Sequence, residues 1–190
     1  MAIVKQEIEG ARLLRLARDS IAHHLGGPLP EIPDGDVYRH KAATFVTVTR
    51  HGELHGCIGT LDPYRTLVDD VQHNAVAAAF FDPRSRPLLL GEMGAISIEV
   101  SLLGPLQPVH VRTEAEAIEK IRPFEDGVVL RDGRHRATFL PQVWDKLPDP
   151  REFLAQLKQK AGMPAHGWSP SMEVFRYSLL KWSESARISA

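Results

Sequence analysis

The stretch Ala42-Ala43-Thr44-Phe45-Val46-Thr47-Val48-Thr49-Arg50-His51-Gly52-Glu53-Leu54-His55-Gly56-Cys57-Ile58-Gly59 decides the fold class. Ala42 to Thr49 is rich in β-branched residues, Glu53 to Ile58 follows, and His51-Gly52 between them suits a two-residue hairpin turn. That turn predicts a register in which Arg50 faces Glu53, Thr49 faces Leu54, Val48 faces His55, Thr47 faces Gly56 and Val46 faces Cys57. Alternate residues of a strand share a face, so Val46, Val48, His55 and Cys57 fall on one side and Phe45, Leu54 and Ile58 on the other. Cys57 is the one cysteine of the chain. Glycine inside a strand marks a bulge or a close approach, and Gly56 and Gly59 flank this thiol. Cys57 with His55 beside it is therefore the candidate catalytic pair, a nucleophile and its activator. The competing reading is a buried thiol that packs as a small hydrophobe.

Outward from the hairpin, helical and strand patterns alternate. Ile8, Ala11, Leu14, Ala17, Ile21 and Leu25 recur at helical spacing, and Gly26-Gly27 follows where a left-handed cap belongs. Gly26 to His40, with Pro28, Pro30 and Pro33, reads as an extended loop able to cover a cleft. On the other side, Asp62-Pro63 predicts a cap and first turn for a helix through Leu67, Val71, Ala75 and Ala78 that stops at Asp82-Pro83. This would put the thiol shortly before a helix N-terminus, where an anion is favoured. Arg84 in the stiff loop Asp82-Pro83-Arg84-Ser85-Arg86-Pro87 has the fork to hold a carboxylate or phosphate; a structural salt bridge is its alternative fate, and Arg86 is expected in solvent. Ala95 to Leu102 alternates strictly and projects Glu99 from one face, as a site carboxylate or as a cross-strand ion-pair partner. Thr113-Glu114-Ala115-Glu116 reads as a capping box. Gly127 to Leu130 and His135 to Leu140 form a second hairpin about Asp132-Gly133, decorated by Arg134 and Arg136. Asp149-Pro150 opens a helix to Gly162, and Val174 to Lys181 reads as a last strand. Mostly antiparallel strands with interspersed helices imply an α+β fold.

Composition bounds the function. With 190 residues, 43% hydrophobic and 25% charged, the chain can bury one substantial core. A formal net charge of -1 gives no global attraction to nucleic acid or an anionic membrane. A single cysteine makes no intramolecular disulfide, and Met1 to Glu9 lacks a basic segment followed by an apolar core, so a cytoplasmic location is expected. The most apolar run, Ala75 to Phe81, falls far short of the ~20 residues of a membrane span. No phosphate loop, dinucleotide fingerprint or serine nucleophile elbow is present. His51 and His55 have zinc-like spacing, but a turn separates them. No cofactor and no metal site is expected.

Several blocks together carry a family resemblance: Leu54 to Thr60, Leu67 to Val71 and on to Phe80, Asp82-Pro83-Arg84, Ile98 to Ser101, Ala137-Thr138-Phe139-Leu140-Pro141-Gln142-Val143-Trp144 and Lys160-Ala161-Gly162. The chain resembles the AMMECR family over nearly its whole length. The resemblance implies a single AMMECR-like domain over residues 1–190, an antiparallel sheet flanked by helices, with a larger and a smaller subdomain, and a family without an established activity. His55 stands where the family signature Leu-Arg-Gly-Cys-Ile-Gly has arginine, and Ser85-Arg86-Pro87 replaces its tendency toward Phe-Pro-Pro. The family's AmmeMemoRadiSam system implies a Memo-like protein and a radical S-adenosylmethionine protein as partners. Three functions compete: an accessory protein that binds such a partner or a small anionic ligand; a cysteine enzyme using Cys57 on a small acidic substrate; and, weakest, a nucleic-acid binder. Arg84, Glu99, Arg136 and Thr138 are the candidate ligand-binding residues. The accessory reading is preferred, because no complete set of nucleophile, base and orienting group can be read.

Overall fold

The hairpin forms where its turn chemistry places it. Strand β1 (Lys41–Ala42) is followed by β2 (Thr44–Arg50), which returns as β3 (Glu53–Gly59) through His51 and Gly52. Their φ angles of 52° and 83° are the left-handed pair that a two-residue hairpin turn requires. This is a computed structural model, and it describes residues 9–184; Ile8 of the expected first helix lies outside them.

Arg50 faces Glu53 and Thr49 faces Leu54, as expected. A β-bulge then leaves His55 unpaired, so that Val48 faces Gly56, Thr47 faces Cys57 and Val46 faces Ile58. The expected Val46–Cys57 pairing is thus wrong by one residue, and so is the grouping of His55 with Cys57 on one face. The reason lies in the helix beneath, α3 (Leu67–Phe80), counted after α1 (Gly10–His24) and α2 (Asp36–Arg39). A methyl group at Gly56 would stand 2.0 Å from the Ala78 carbonyl oxygen, so β3 approaches this helix more closely than any side chain permits. The bulge turns both His55 and Gly56 to the helix, and His55 Nε2 lies 3.1 Å from the Ala79 carbonyl oxygen.

Helix α3 begins later than Asp62-Pro63 predicts. Its N-cap is Thr66, whose Oγ1 accepts from the Asp69 amide at 3.2 Å, while Arg65–Thr66 forms β4 and pairs with β1. The start is fixed by a buried polar cluster. Asp70 accepts from the Thr44 amide and hydroxyl at 2.8 and 2.7 Å and from the Thr60 hydroxyl at 2.8 Å, and Asn74 Nδ2 donates to Asp70 at 3.0 Å. The helix therefore starts at Leu67, further along the chain from Cys57 than expected.

The remaining elements are β5 (Ile96–Leu103), β6 (Gln107–Val109), α4 (Glu114–Lys120), β7 (Gly127–Asp132), β8 (His135–Phe139), α5 (Pro150–Lys160), β9 (Glu173–Tyr177) and β10 (Leu179–Ser183). One four-stranded sheet has the order β10-β5-β2-β3 and the other β6-β9-β7-β8; the β2–β3, β2–β5, β6–β9, β7–β8 and β7–β9 pairs are antiparallel. The fold is α+β. It divides into two compact units, residues 104–179 and the rest of the chain. In the larger, Val46, Val48, Ile98 and Val100 pack against Leu13, Leu16 and Ile21 of α1 and Val71, Ala75 and Ala78 of α3. In the smaller, Val128, Leu130 and Val174 pack against Phe153, Leu154 and Leu157, with the Trp144 and Phe153 rings stacked at 3.6 Å. Val174 to Lys181 is not one strand: it breaks at Ser178, giving β9 to the smaller unit's sheet and β10 to the larger's. The tip of the second hairpin is Gly133-Arg134, one residue beyond the expected acid-glycine pair, because Asp132 still pairs with His135. The Asp149-Pro150 cap stands as predicted, with Asp149 accepting from the Arg151 amide at 2.8 Å.

Candidate functional site

β3 is an edge strand, and the loop after α3 covers its edge. Asp82 Oδ2 accepts from the Cys57 amide at 2.8 Å, Arg84 Nη2 donates to the Cys57 carbonyl at 3.0 Å, and the Ser85 hydroxyl donates to the His55 carbonyl. An open edge is thereby satisfied by side chains rather than by another strand. Arg84 is aimed by the same device: Nε and Nη2 donate to the two oxygens of Asp82 at 2.9 and 2.5 Å. Asp82 is buried, and the Arg84 guanidinium, with the Cys57 and Arg84 amides, holds its carboxyl well below the usual carboxylate range against the opposing effect of burial. Arg84 itself is 58% exposed, and its Nη1 makes no hydrogen bond among the described residues. The salt bridge weighed for this arginine is present, and a free corner of the guanidinium remains. Arg86 is exposed, as expected, and its guanidinium also bonds Glu92 at 2.5 and 3.0 Å.

Cys57 is half-buried and lies on the sheet face opposite the helices. Thr47 Oγ1 donates to its Sγ at 3.2 Å, and Thr47 in turn faces Glu99 of β5. Cys57, Thr47 and Glu99 therefore form one row across three strands. Glu99 is a cross-strand ion-pair partner, 3.1 Å from Lys181 Nζ, and it accepts from the Ser183 hydroxyl at 3.0 Å. His55 is buried on the other side of the sheet, its Nε2 on the Ala79 carbonyl, and no hydrogen bond links it to the thiol among the described residues.

Arg136 and Thr138 lie in the smaller unit, two residues apart on one face of β8, opposite Arg131 and Val129. The Thr138 hydroxyl donates to the Val128 carbonyl at 2.8 Å and lies 2.9 Å from the Tyr177 hydroxyl, which donates to the Phe139 carbonyl at 3.2 Å. Burial pushes the Tyr177 phenol up to about 12, so it stays a neutral hydrogen-bonding group. Arg131 stacks its guanidinium 4.8 Å above the Phe175 ring. Thr47, Asp82 and Lys181 were not singled out by sequence; an acid two residues before an arginine, in Asp82-Pro83-Arg84, was the available signal for Asp82. Among the described residues no group of three or more histidines, cysteines or carboxylates is arranged to hold a metal, and no helix is long and apolar enough to cross a membrane.

The AMMECR1 family profile matches residues 14–182. The chain belongs to the AMMECR1 family. It is 37% identical over 178 residues to a protein of Methanothermobacter thermautotrophicus, covering 89% of this chain and 91% of that one. A protein of Methanopyrus kandleri is 36% identical over 187 residues, covering 93% and 88%. The crystal structure of an uncharacterized protein of Pyrococcus horikoshii superimposes with a TM-score of 0.82 at 30% identity, covering 94% of this chain and 92% of that one. This chain carries the Asp82-Arg84 clamp and the Cys57 row on one unit, and Arg136 with Thr138 on the other.

Proposed function

We propose that this AMMECR1-family protein is a cytoplasmic accessory that binds an acidic segment of a partner, or a small anion, at the Arg84 corner beside Cys57. The Memo-like and radical S-adenosylmethionine proteins of the AmmeMemoRadiSam system are the proposed partners. One observation carries this reading: the guanidinium is fixed in advance by buried Asp82 and by the Cys57 carbonyl, and its Nη1 is left without a hydrogen bond among the described residues. An arginine already ordered loses little side-chain freedom when it takes up an acidic group. The test is a pull-down or calorimetric titration against the two partner proteins with Arg84→Ala and Arg84→Lys, thermal melting serving as the folding control. Arg84→Ala should weaken binding and Arg84→Lys should recover only part of it, because lysine keeps the charge without the fork. Unchanged binding in Arg84→Ala removes this corner from the site.

A second reading, a cysteine enzyme, draws support from the half-buried thiol and the Thr47 hydroxyl that donates to it. It needs a base that the bulge has turned away. The accessory reading is preferred for that reason.

A further inference from the structure

Away from the Cys57 edge, the loop after α1 and the facing sides of α1 and α3 enclose a recess of about 580 Å³, a size typical of small-molecule sites. Leu29, Ile32 and Phe81, exposed to 80%, 51% and 66%, stand around it. Large apolar side chains left in water around one concavity mark a binding surface. Pro28 and Pro33 flank the Leu29 to Ile32 wall and Pro30 lies within it, which fixes backbone angles and lowers the entropy lost when a ligand is enclosed.

The polar groups at the recess bias it toward a hydrogen-bond acceptor. His23, His24 and His73 line it together with the amide of Gln72, and no carboxylate is among its lining residues. His23 Nδ1 lies 3.0 Å from the Gly27 carbonyl, which anchors the ring by that nitrogen. The His24 ring lies 4.4 Å from that of Phe80 and edge-on to Phe81 at 6.0 Å, forming an aromatic shelf. The imidazoles and the Gln72 amide offer N–H donors with no lining carboxylate to compete for them. We infer that this recess binds a small aromatic acid, its ring system against Phe81, Leu29 and Ile32 and its acidic head toward His23 and His73. This site shares no residue with the Arg84 corner and does not rest on the accessory role.

The probes are 8-anilinonaphthalene-1-sulfonate, an aromatic anion, and N-phenyl-1-naphthylamine, which has the same rings without the sulfonate. Each is titrated by fluorescence into the native full chain, with calorimetry for stoichiometry. One saturable sulfonate-dye site is expected. Ala77→Trp, which fills the recess from α3, should weaken both dyes about tenfold or more; if that variant melts early, Leu29→Asp on the exposed loop takes its place. His73→Glu, at an exposed position, should weaken the sulfonate dye about fivefold and leave the neutral dye within about twofold. Absence of a saturable site, or sulfonate-dye binding that survives the filling variant unchanged, overturns the inference. Equal losses of both dyes in His73→Glu overturn the acidic head.

Discussion

Cys57 receives a hydrogen bond from the Thr47 hydroxyl at 3.2 Å, while the imidazole two residues before it is spent on a helix carbonyl across the sheet. That bond fixes the orientation of the sulfur, so Thr47→Val should slow alkylation of the native protein at neutral pH about threefold. His55→Gln, which keeps a donor for the Ala79 carbonyl, should leave the rate within about twofold. Mass spectrometry of the alkylated chain measures both, and a collapse of the rate in His55→Gln contradicts the bulged register. Asp82 makes a second prediction at this scale. Its carboxyl is held below its unfolded value, so the stability it contributes is fully present above pH ~3.9 and is lost as pH falls toward the folded value. Asp82→Asn should therefore cost about 1–2 kcal/mol near neutral pH, the partner Arg84 being solvent-screened, and the variant should lose less stability than wild type on acidification below pH ~4. Denaturant titrations across that pH range decide it, and parallel curves for the two proteins count against the clamp.

Elements are placed by contacts that their own sequences do not contain. Helix α3 starts at Leu67 because Asp70 and Asn74 must reach Thr44 and Thr60, and the Thr66 cap serves the start so chosen. Asp70→Ala would strand the buried Thr44 amide and remove the 3.2 Å ion pair with Arg65, and should cost about 3–5 kcal/mol in chemical denaturation. Thr66→Ala, losing a cap alone, should cost about 1 kcal/mol. If the two variants cost the same, the buried cluster does not set the helix start. The loop that crosses from α3 to β5 is closed by Glu92, which accepts from Arg86, Arg50 and the Leu89 amide; these hold its carboxyl down at about 2.

At the scale of the whole molecule, residues 104–179 form one continuous segment with their own sheet and core, whereas the larger unit is completed by the chain's return in β10. Arg18 of α1 ties that return by pairing with Glu184 at 2.5 Å and donating to the Met93 and Ile96 carbonyls at 3.0 Å each. A fragment spanning residues 104–179 should melt cooperatively with a near-ultraviolet signal from the stacked Trp144, and a chain ended at residue 178 should lose the larger unit's stability first. A fragment without a cooperative transition overturns this division. The sequence by itself determined the α+β class, the hairpin and its His51-Gly52 turn, the alternating strand that carries Glu99, the Asp149-Pro150 cap and the family. The first four rest on local preference and turn chemistry among neighbouring residues, and the family on short motifs spread along nearly the whole chain. Only the tertiary structure decided which way His55 points, where α3 begins, how β9 and β10 are shared between the sheets and what Arg84 holds. Those outcomes depend on Ala78 meeting Gly56, Asp70 meeting Thr44 and Asp82 meeting Cys57, pairs more than twenty residues apart in the chain that only packing brings together.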